Sequence, residues 1–244
     1  MSEPFAKETD GFMARHFDRK VSGAISRLLL KTPVTPNQIT IAVTLVGVVS
    51  GVCLAQPGYG PKVWGAFLFL LTSILDGCDG EVARARKMTS RLGGWLDLWG
   101  DNIVHVAVFY SLGMGLYKDT WNALHLYLGQ TAALGTIISA SIASYQTYRK
   151  ARRHPSPHPS PQGRGSEGEG SSLFTSVVGD AARARSVWQA RLVRWSDALA
   201  RRDFIYVIPV LALIGHLEWF LWACAIGVNI YALVLVVLLR ATPE

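Results

Sequence analysis

The chain has 244 residues, 50% of them hydrophobic and only 17% charged, with a mean hydropathy of +0.26. An average soluble domain carries roughly 25% charged residues, so this composition excludes a disordered chain, a disulfide scaffold and most soluble enzymes. The formal net charge is +7, and the three cysteines (Cys53, Cys78 and Cys224) each sit in an apolar stretch, which gives neither a disulfide framework nor a thiolate metal site.

No signal peptide is expected in the first forty residues, because Lys7, Asp10, Arg15, Arg19 and Lys20 interrupt any apolar core. Phe17, Val21, Ile25 and Leu28 instead recur at helical spacing beside Arg27 and Lys31, which predicts a basic amphipathic helix on a membrane surface. A soluble amphipathic helix packed on a domain would show the same pattern. Pro33 stops it, and a second helix starts with Thr35 as N-cap, Pro36 at the first helical position and Gln38 closing a capping box.

No charge occurs from Thr32 to Pro61, ample for a first span of about 20 residues. The apolar runs Val63–Leu75 and Asn102–Tyr117 are each too short to cross unaided. The first must continue into Asp76–Gly80, and the second must begin within Gly93–Asp101, so both helices carry carboxylates into the membrane's edge. A fourth span fits within Thr120–Tyr148, and Phe204–Leu217 with Trp219–Leu239 form a final pair turning at His216–Glu218. The expectation is an all-α polytopic membrane protein of about six spans. Residues 1–34 would form the juxtamembrane helix, 35–150 spans one to four, 151–200 a cytoplasmic insert and 201–244 the last two spans.

The insert opens with the Pro/Gly/Ser-rich tract His154–Ser172, read as flexible linker; its clustered histidines also admit a metal reading. Val177, Ala181, Ala184, Trp188, Leu192, Trp195 and Leu199 then repeat with helical spacing, which fits a second interfacial helix. Only Lys62 and Lys118 fall in the loops of one side. The other basic residues lie opposite, so both termini and the acidic cluster are expected on the cytoplasmic side of the inner membrane, facing anionic lipid rather than nucleic acid.

Asp76 and Asp79 are three residues apart and Asp97 and Asp101 four, so on helices each pair shares a face. Four carboxylates at a bilayer edge repel one another and lose solvation. Two hard divalent cations, Mg2+ or Mn2+, would neutralise them and suit displacement at phosphorus. A proton relay or ion pathway in a transporter fits the carboxylates equally well. Gly80 and Ala83 leave one helix face open to close approach, and Arg84 is placed to receive a phosphate bidentately. Gly93 and Gly94 thin the opposing helix. Small residues are equally common at ordinary membrane helix contacts, but that account leaves Arg84 beside four acids unexplained.

The run Asp76-x2-Asp79-Gly80-x2-Ala83-Arg84-x8-Gly93-x3-Asp97-x3-Asp101 resembles the complete signature of the CDP-alcohol phosphotransferase family. The resemblance extends to the amphipathic start, the Thr-Pro-Asn opening of span one and the number of spans. It implies a membrane transferase of phospholipid or phosphopolyol biosynthesis. Such an enzyme moves a phosphoalcohol group from a CDP-linked donor to an alcohol acceptor, releases CMP, requires divalent metal and forms a homodimer.

Carried over by position, the resemblance implies that Asp76, Asp79, Asp97 and Asp101 surround two metal ions, with Asp101 also the proton acceptor. Gly80, Ala83, Arg84 and Ser90, together with Asn37, Gln38, Ile39 and Thr40, would contact the CDP donor. Many relatives carry a basic residue after the fourth aspartate and an acidic one three further on; this chain has Asn102 and His105 there. A lone His105 in an apolar span also reads as a hydrogen-bonded structural residue.

Arg149, Lys150, Arg152 and Arg153 close span four, and Arg201 and Arg202 open span five. Arg149, Arg152 and Arg202 would suit an acceptor bearing its own phosphate, such as glycerol phosphate or inositol phosphate, and resemble the inositol-phosphate-using branches of the family. The positive-inside rule alone would also place them there. Two rivals to the enzyme are a cation- or proton-coupled transporter using the same aspartates and a noncatalytic membrane scaffold.

Overall fold

The computed structural model describes residues 19–153 and 202–241. Among these, all regular structure is helical: α1 (Arg19–Leu29), α2 (Pro36–Leu54), α3 (Tyr59–Ala85), α4 (Arg91–Thr120), α5 (Ala123–Arg153), a 3-10 turn (Arg202–Tyr206), α6 (Val207–Leu213) and α7 (Leu217–Ala241). The linker and second interfacial helix expected at 154–200 lie outside the described residues.

The helix starts follow local chemistry. Thr35 caps α2, Pro36 occupies its first turn, and the Thr35 N–H donates to Gln38 Oε1 at 2.9 Å, as the capping-box spacing predicts. Ser90 caps α4 through its Oγ, which accepts from the Gly93 N–H at 3.0 Å. The acidic segments Asp76–Gly80 and Gly93–Asp101 are continuous with the apolar runs they complete, in α3 and α4 respectively.

Among the described residues, four helices are long and apolar enough to cross a membrane: Pro36–Leu54, Tyr59–Ala85, Ala123–Tyr145 and Leu217–Val237. The expected count of six is not reached on those terms. α4 has the length, at 30 residues, but opens on the polar and acidic stretch that carries Asp97 and Asp101. The expected fifth span is reduced to the short apolar segment Phe204–Leu213. Pro209 has no N–H to give to Ile205, so the regular helix can begin only just ahead of it, and the turn before it is 3-10. The reversal into α7 also comes earlier than expected. Gly215, at φ +76°, ends α6; its N–H bonds the Ala212 carbonyl at 3.2 Å and the His216 N–H bonds that of Leu211 at 2.8 Å, so α7 already begins at Leu217.

Packing relies on small residues. Gly113 of α4 faces Gly129 of α5 so closely that a Cβ on Gly113 would sit 2.8 Å from the Gly129 Cα. Ser50 of α2 donates to the Gly65 carbonyl of α3 at 2.8 Å. One cluster of Leu54, Phe69, Val108, Phe109, Leu112, Ile208 and Leu221 joins α2 to α7, so helices on both sides of the undescribed segment share a core.

α1 packs against α3, which carries the first aspartate pair, and against its neighbour α2. Ile25 and Leu29 pack against Cys78 and Val82 of α3 together with Ile39 and Val43 of α2, whereas Arg27, Leu28 and Lys31 stay exposed. The packed-helix reading therefore holds for one face, and the basic residues lie on the exposed one.

Candidate functional site

Three helical stripes converge on one cavity. α2 contributes Thr40, Val43 and Thr44; α3 contributes Thr72, Asp76 and Asp79; α4 contributes Asp97, Gly100, Asp101 and Val104. Steps of three and four residues put each set on one side of its helix. A Cβ on Gly100 would stand 2.5 Å from Thr44 Oγ1, so the missing side chain lets α4 lie against α2 at the level of the aspartates.

The carboxylates differ in setting. Asp79 is 8% exposed and accepts from the Thr40 hydroxyl, itself 7% exposed, and from the Gly80 N–H. Asp76 and Asp97 are half-buried, and Asp101 is exposed at the edge of the cavity. Asp76, Asp79, Asp97 and Arg84 all have polar or electrostatic partners. The donor set is entirely oxygen, from four carboxylates and the Thr40, Thr44 and Thr72 hydroxyls, which is the chemistry a hard divalent cation requires. Among the described residues, no three carboxylate, imidazole or thiol side chains gather closely enough to hold an ion as they stand. The residues thus fit Mg2+ or Mn2+ in kind, and closing on an ion requires the carboxylates to draw together.

The other sequence-predicted residues fall into three groups. Arg84 is exposed beside the glycine at 80, where its Nη1 would lie 3.3 Å from a Cβ. Asn37, Ser90 and Gly93 form a tight junction between the starts of α2 and α4: a Cβ on Gly93 would meet Ser90 Oγ at 3.1 Å and Asn37 Oδ1 at 3.2 Å. Gln38 spends its side chain on the α2 cap and Ile39 is buried in the core between α1 and α3, so neither side chain points into the cavity. Ala83 is half-buried on the turn that separates Gly80 from Arg84. The side chains of Arg149, Arg152 and Arg202 lie outside the described set, although their backbones are helical.

His105 takes the structural place its setting suggested. Its Nδ1–H donates to the Asp101 carbonyl oxygen at 2.8 Å, and its ring meets those of Phe69 and Phe109 edge-on at 5.6 and 5.7 Å. Asn102 turns inward and donates to the Leu98 carbonyl at 2.7 Å.

Residues 33–157, just over half of the chain, match the CDP-alcohol phosphatidyltransferase family. The chain belongs to that family. Among CDP-alcohol phosphatidyltransferase relatives, the bifunctional IPC transferase and DIPP synthase of Aquifex aeolicus is 42% identical over 113 residues, covering 46% of this chain and 25% of that protein. The phosphatidylinositol phosphate synthase of Mycobacteroides abscessus is 29% identical over 142 residues, covering 58% of this chain and 60% of that protein. The chain therefore spans a quarter of the Aquifex protein's length and under two thirds of the Mycobacteroides protein's. Among solved structures, that of Mycobacterium tuberculosis phosphatidylinositol phosphate synthase in complex with manganese and citrate has a TM-score of 0.49 at 22% identity, covering 91% of this chain and 90% of that one.

Sequence reasoning missed Val43, Thr44, Thr72, Gly100 and Val104 as cavity wall. Thr72 stands four residues before Asp76, and Val104 three after Asp101, so extending each acidic stripe by one helical turn would have found both.

Proposed function

We propose that this membrane protein is a metal-dependent transferase that moves a phosphoalcohol group from a CDP-linked donor to an alcohol acceptor and releases CMP. The observation that carries this reading is the single cavity walled by all four signature aspartates. A bound Mg2+ or Mn2+ would neutralise the donor's diphosphate and stabilise departing CMP. Asp76, Asp79 and Asp97 would supply the ligand oxygens, with Asp79 fixed by Thr40. Asp101 is the exposed member of the quartet, which suits it to take the proton of an incoming hydroxyl. Arg84 would bind a donor phosphate, and the Asn37–Ser90 junction would line the nucleotide side.

The acceptor we favour carries its own phosphate, as an inositol phosphate or glycerol phosphate does; the names of the relatives and the basic residues Arg149, Arg152 and Arg202 support this. The cytoplasmic side of the inner membrane suits the site, because Lys62 begins α3 and Lys118 ends α4, at the opposite ends of those helices from the aspartates. A transporter would need acidic groups strung along a path through the membrane, whereas these four line one cavity.

The test is CMP release from a CDP-lipid by the full chain in detergent, with and without Mg2+ or Mn2+, across inositol phosphate, glycerol phosphate, serine and aminoalcohols. Asp97→Asn should lower turnover by about 100-fold or more, the scale of losing one electrostatic stabiliser of a transition state. Metal-independent CMP release, or normal turnover by Asp97→Asn, would overturn the proposal.

A further inference from the structure

Arg86 lies two residues beyond the signature arginine and outside the aspartate pattern. It is the C-cap residue of α3. Its Nη1 donates to the Val34 carbonyl, while Nη2 is shared among the carbonyls of Leu29 at 3.1 Å, Leu30 at 3.3 Å and Thr32. Leu29 ends α1, where carbonyls lack helical partners and a cation is favoured. Thr32 and Val34 belong to the link that runs into Thr35, the cap of α2. One guanidinium therefore gathers the whole connection between α1 and α2 onto the end of the helix that carries Asp76 and Asp79.

Directly after that link come the first turns of α2, which bring Thr40 to the cavity. Asn37 stands at the junction with Ser90 and Gly93, and Thr40 donates to Asp79. The same guanidinium of Arg86 holds the end of α1 through the Leu29 carbonyl, and α1 also meets α3 through the Ser22 hydroxyl, which donates to Glu81 Oε1 at 3.0 Å, and through Cys78, whose thiol approaches the Ser22 carbonyl at 3.6 Å. Cys78 is thus fully buried beneath α1.

We infer that Arg86 is a positioning residue for donor binding: by clamping the α1–α2 link it sets Asn37 and Thr40 against Ser90 and Asp79. This rests on the transferase reading above, in which the Asn37–Ser90 junction lines the nucleotide side and Thr40 fixes Asp79. The geometry suits arginine better than lysine. A planar fork with several N–H groups can serve carbonyls on both sides of the link at once, whereas a lysine ammonium, as a point donor, would hold fewer of them.

The test uses the full chain in detergent with a CDP-lipid donor at saturating Mg2+, comparing Arg86→Gln and Arg86→Lys with the unsubstituted protein. Arg86→Gln is expected to raise the donor KM about tenfold, the scale of losing charge-assisted hydrogen bonds, while kcat changes by less than about threefold. Arg86→Lys should fall between the two. Alkylation of Cys78 should accelerate in Arg86→Gln, while that of Cys224, buried in the core cluster away from α1, stays unchanged.

An unchanged donor KM, a loss confined to kcat, or no acceleration at Cys78 would each overturn the inference. Equal acceleration at Cys78 and Cys224 would also overturn it, by showing general destabilisation. Failure of the unsubstituted chain to release CMP would refute the transferase reading instead. The Cys78 comparison needs no turnover and would still decide whether Arg86 seats the link.

Discussion

Replacing Thr40 with valine separates two accounts of one side chain. The signature resemblance makes Thr40 a donor contact, whereas in the structure its hydroxyl faces Asp79 Oδ2 and, at 3.2 Å, the Pro36 carbonyl. A hydroxyl has one proton to give, and the charge-assisted bond to the carboxylate is the stronger claim on it. Valine keeps the shape but leaves a carboxylate only 8% exposed without that donor. A hydrogen bond to a charged group is worth about 1.5–3 kcal/mol. If Asp79 is a metal ligand, the cost should appear as metal affinity weakened by about 10–100-fold, as when other ligand-orienting partners are removed. The assay is CMP release against Mg2+ concentration at saturating donor, with Thr40→Ser as the companion that keeps the hydroxyl and should recover most of the loss. The reasoning fails if Thr40→Val raises the donor KM and leaves the Mg2+ dependence unchanged, or if Thr40→Ser is as impaired as Thr40→Val.

The site was legible where its signal is periodic and charged, and illegible where it is made by the backbone. Short apolar runs beside acids required helices that continue through Asp76–Gly80 and Gly93–Asp101, and α3 and α4 do so. The spacing of the aspartates put each pair on one face, and those faces meet in one cavity. On α2, Thr40, Thr44, Gly47 and Gly51 repeat at helical spacing, but hydroxyls and glycines mark ordinary helix packing as readily as a site. Thr40 was named only through the resemblance, and Thr44 is identified by the cavity it lines. Ser90 matched the donor signature, yet its hydroxyl also caps α4, a role that Ser-x-x-Gly spelled without announcing. Arg86 was missed because its partners are four main-chain carbonyls, which leave no trace in side-chain chemistry. The end of α3 was hidden for a related reason. Lys87 adopts the left-handed conformation, φ +56°, while the Lys87 and Met88 N–H groups bond the Arg84 and Ala83 carbonyls, a terminator usually announced by glycine.

Two further predictions address the ends of α3. Lys87→Gly should stabilise the protein by up to about 1 kcal/mol, since a side chain with a Cβ pays to be left-handed and glycine does not, less the freedom glycine adds to the unfolded chain; thermal unfolding in detergent reads this, and a loss of stability would show that the cap was not strained. At the other end, Lys62, 5% exposed, pairs with Asp119, which also accepts from the Gly58 N–H at 2.8 Å. Partial burial works to raise the Asp119 pKa, but the Lys62 side-chain hydrogen bond, the Gly58 N–H and the Lys62 charge outweigh it and hold it below the ordinary carboxylate value. A group whose folded pKa is depressed stabilises at pH above its unfolded value, and that contribution is lost as pH falls through the folded one. Asp119→Asn keeps an oxygen for Gly58 but removes the charge facing Lys62, so it should be less stable than the unsubstituted chain near about pH 7, with the gap narrowing below about pH 4 as Asp119 itself protonates. The Lys62 ammonium would then retain only the carbonyls of Gln56, at 3.1 Å, and Gly58, at 3.5 Å, in both proteins. Denaturation of the two chains across that range decides the matter: a gap that stays constant with pH would mean that packing, rather than charge, is what the pair contributes to joining α3 and α4.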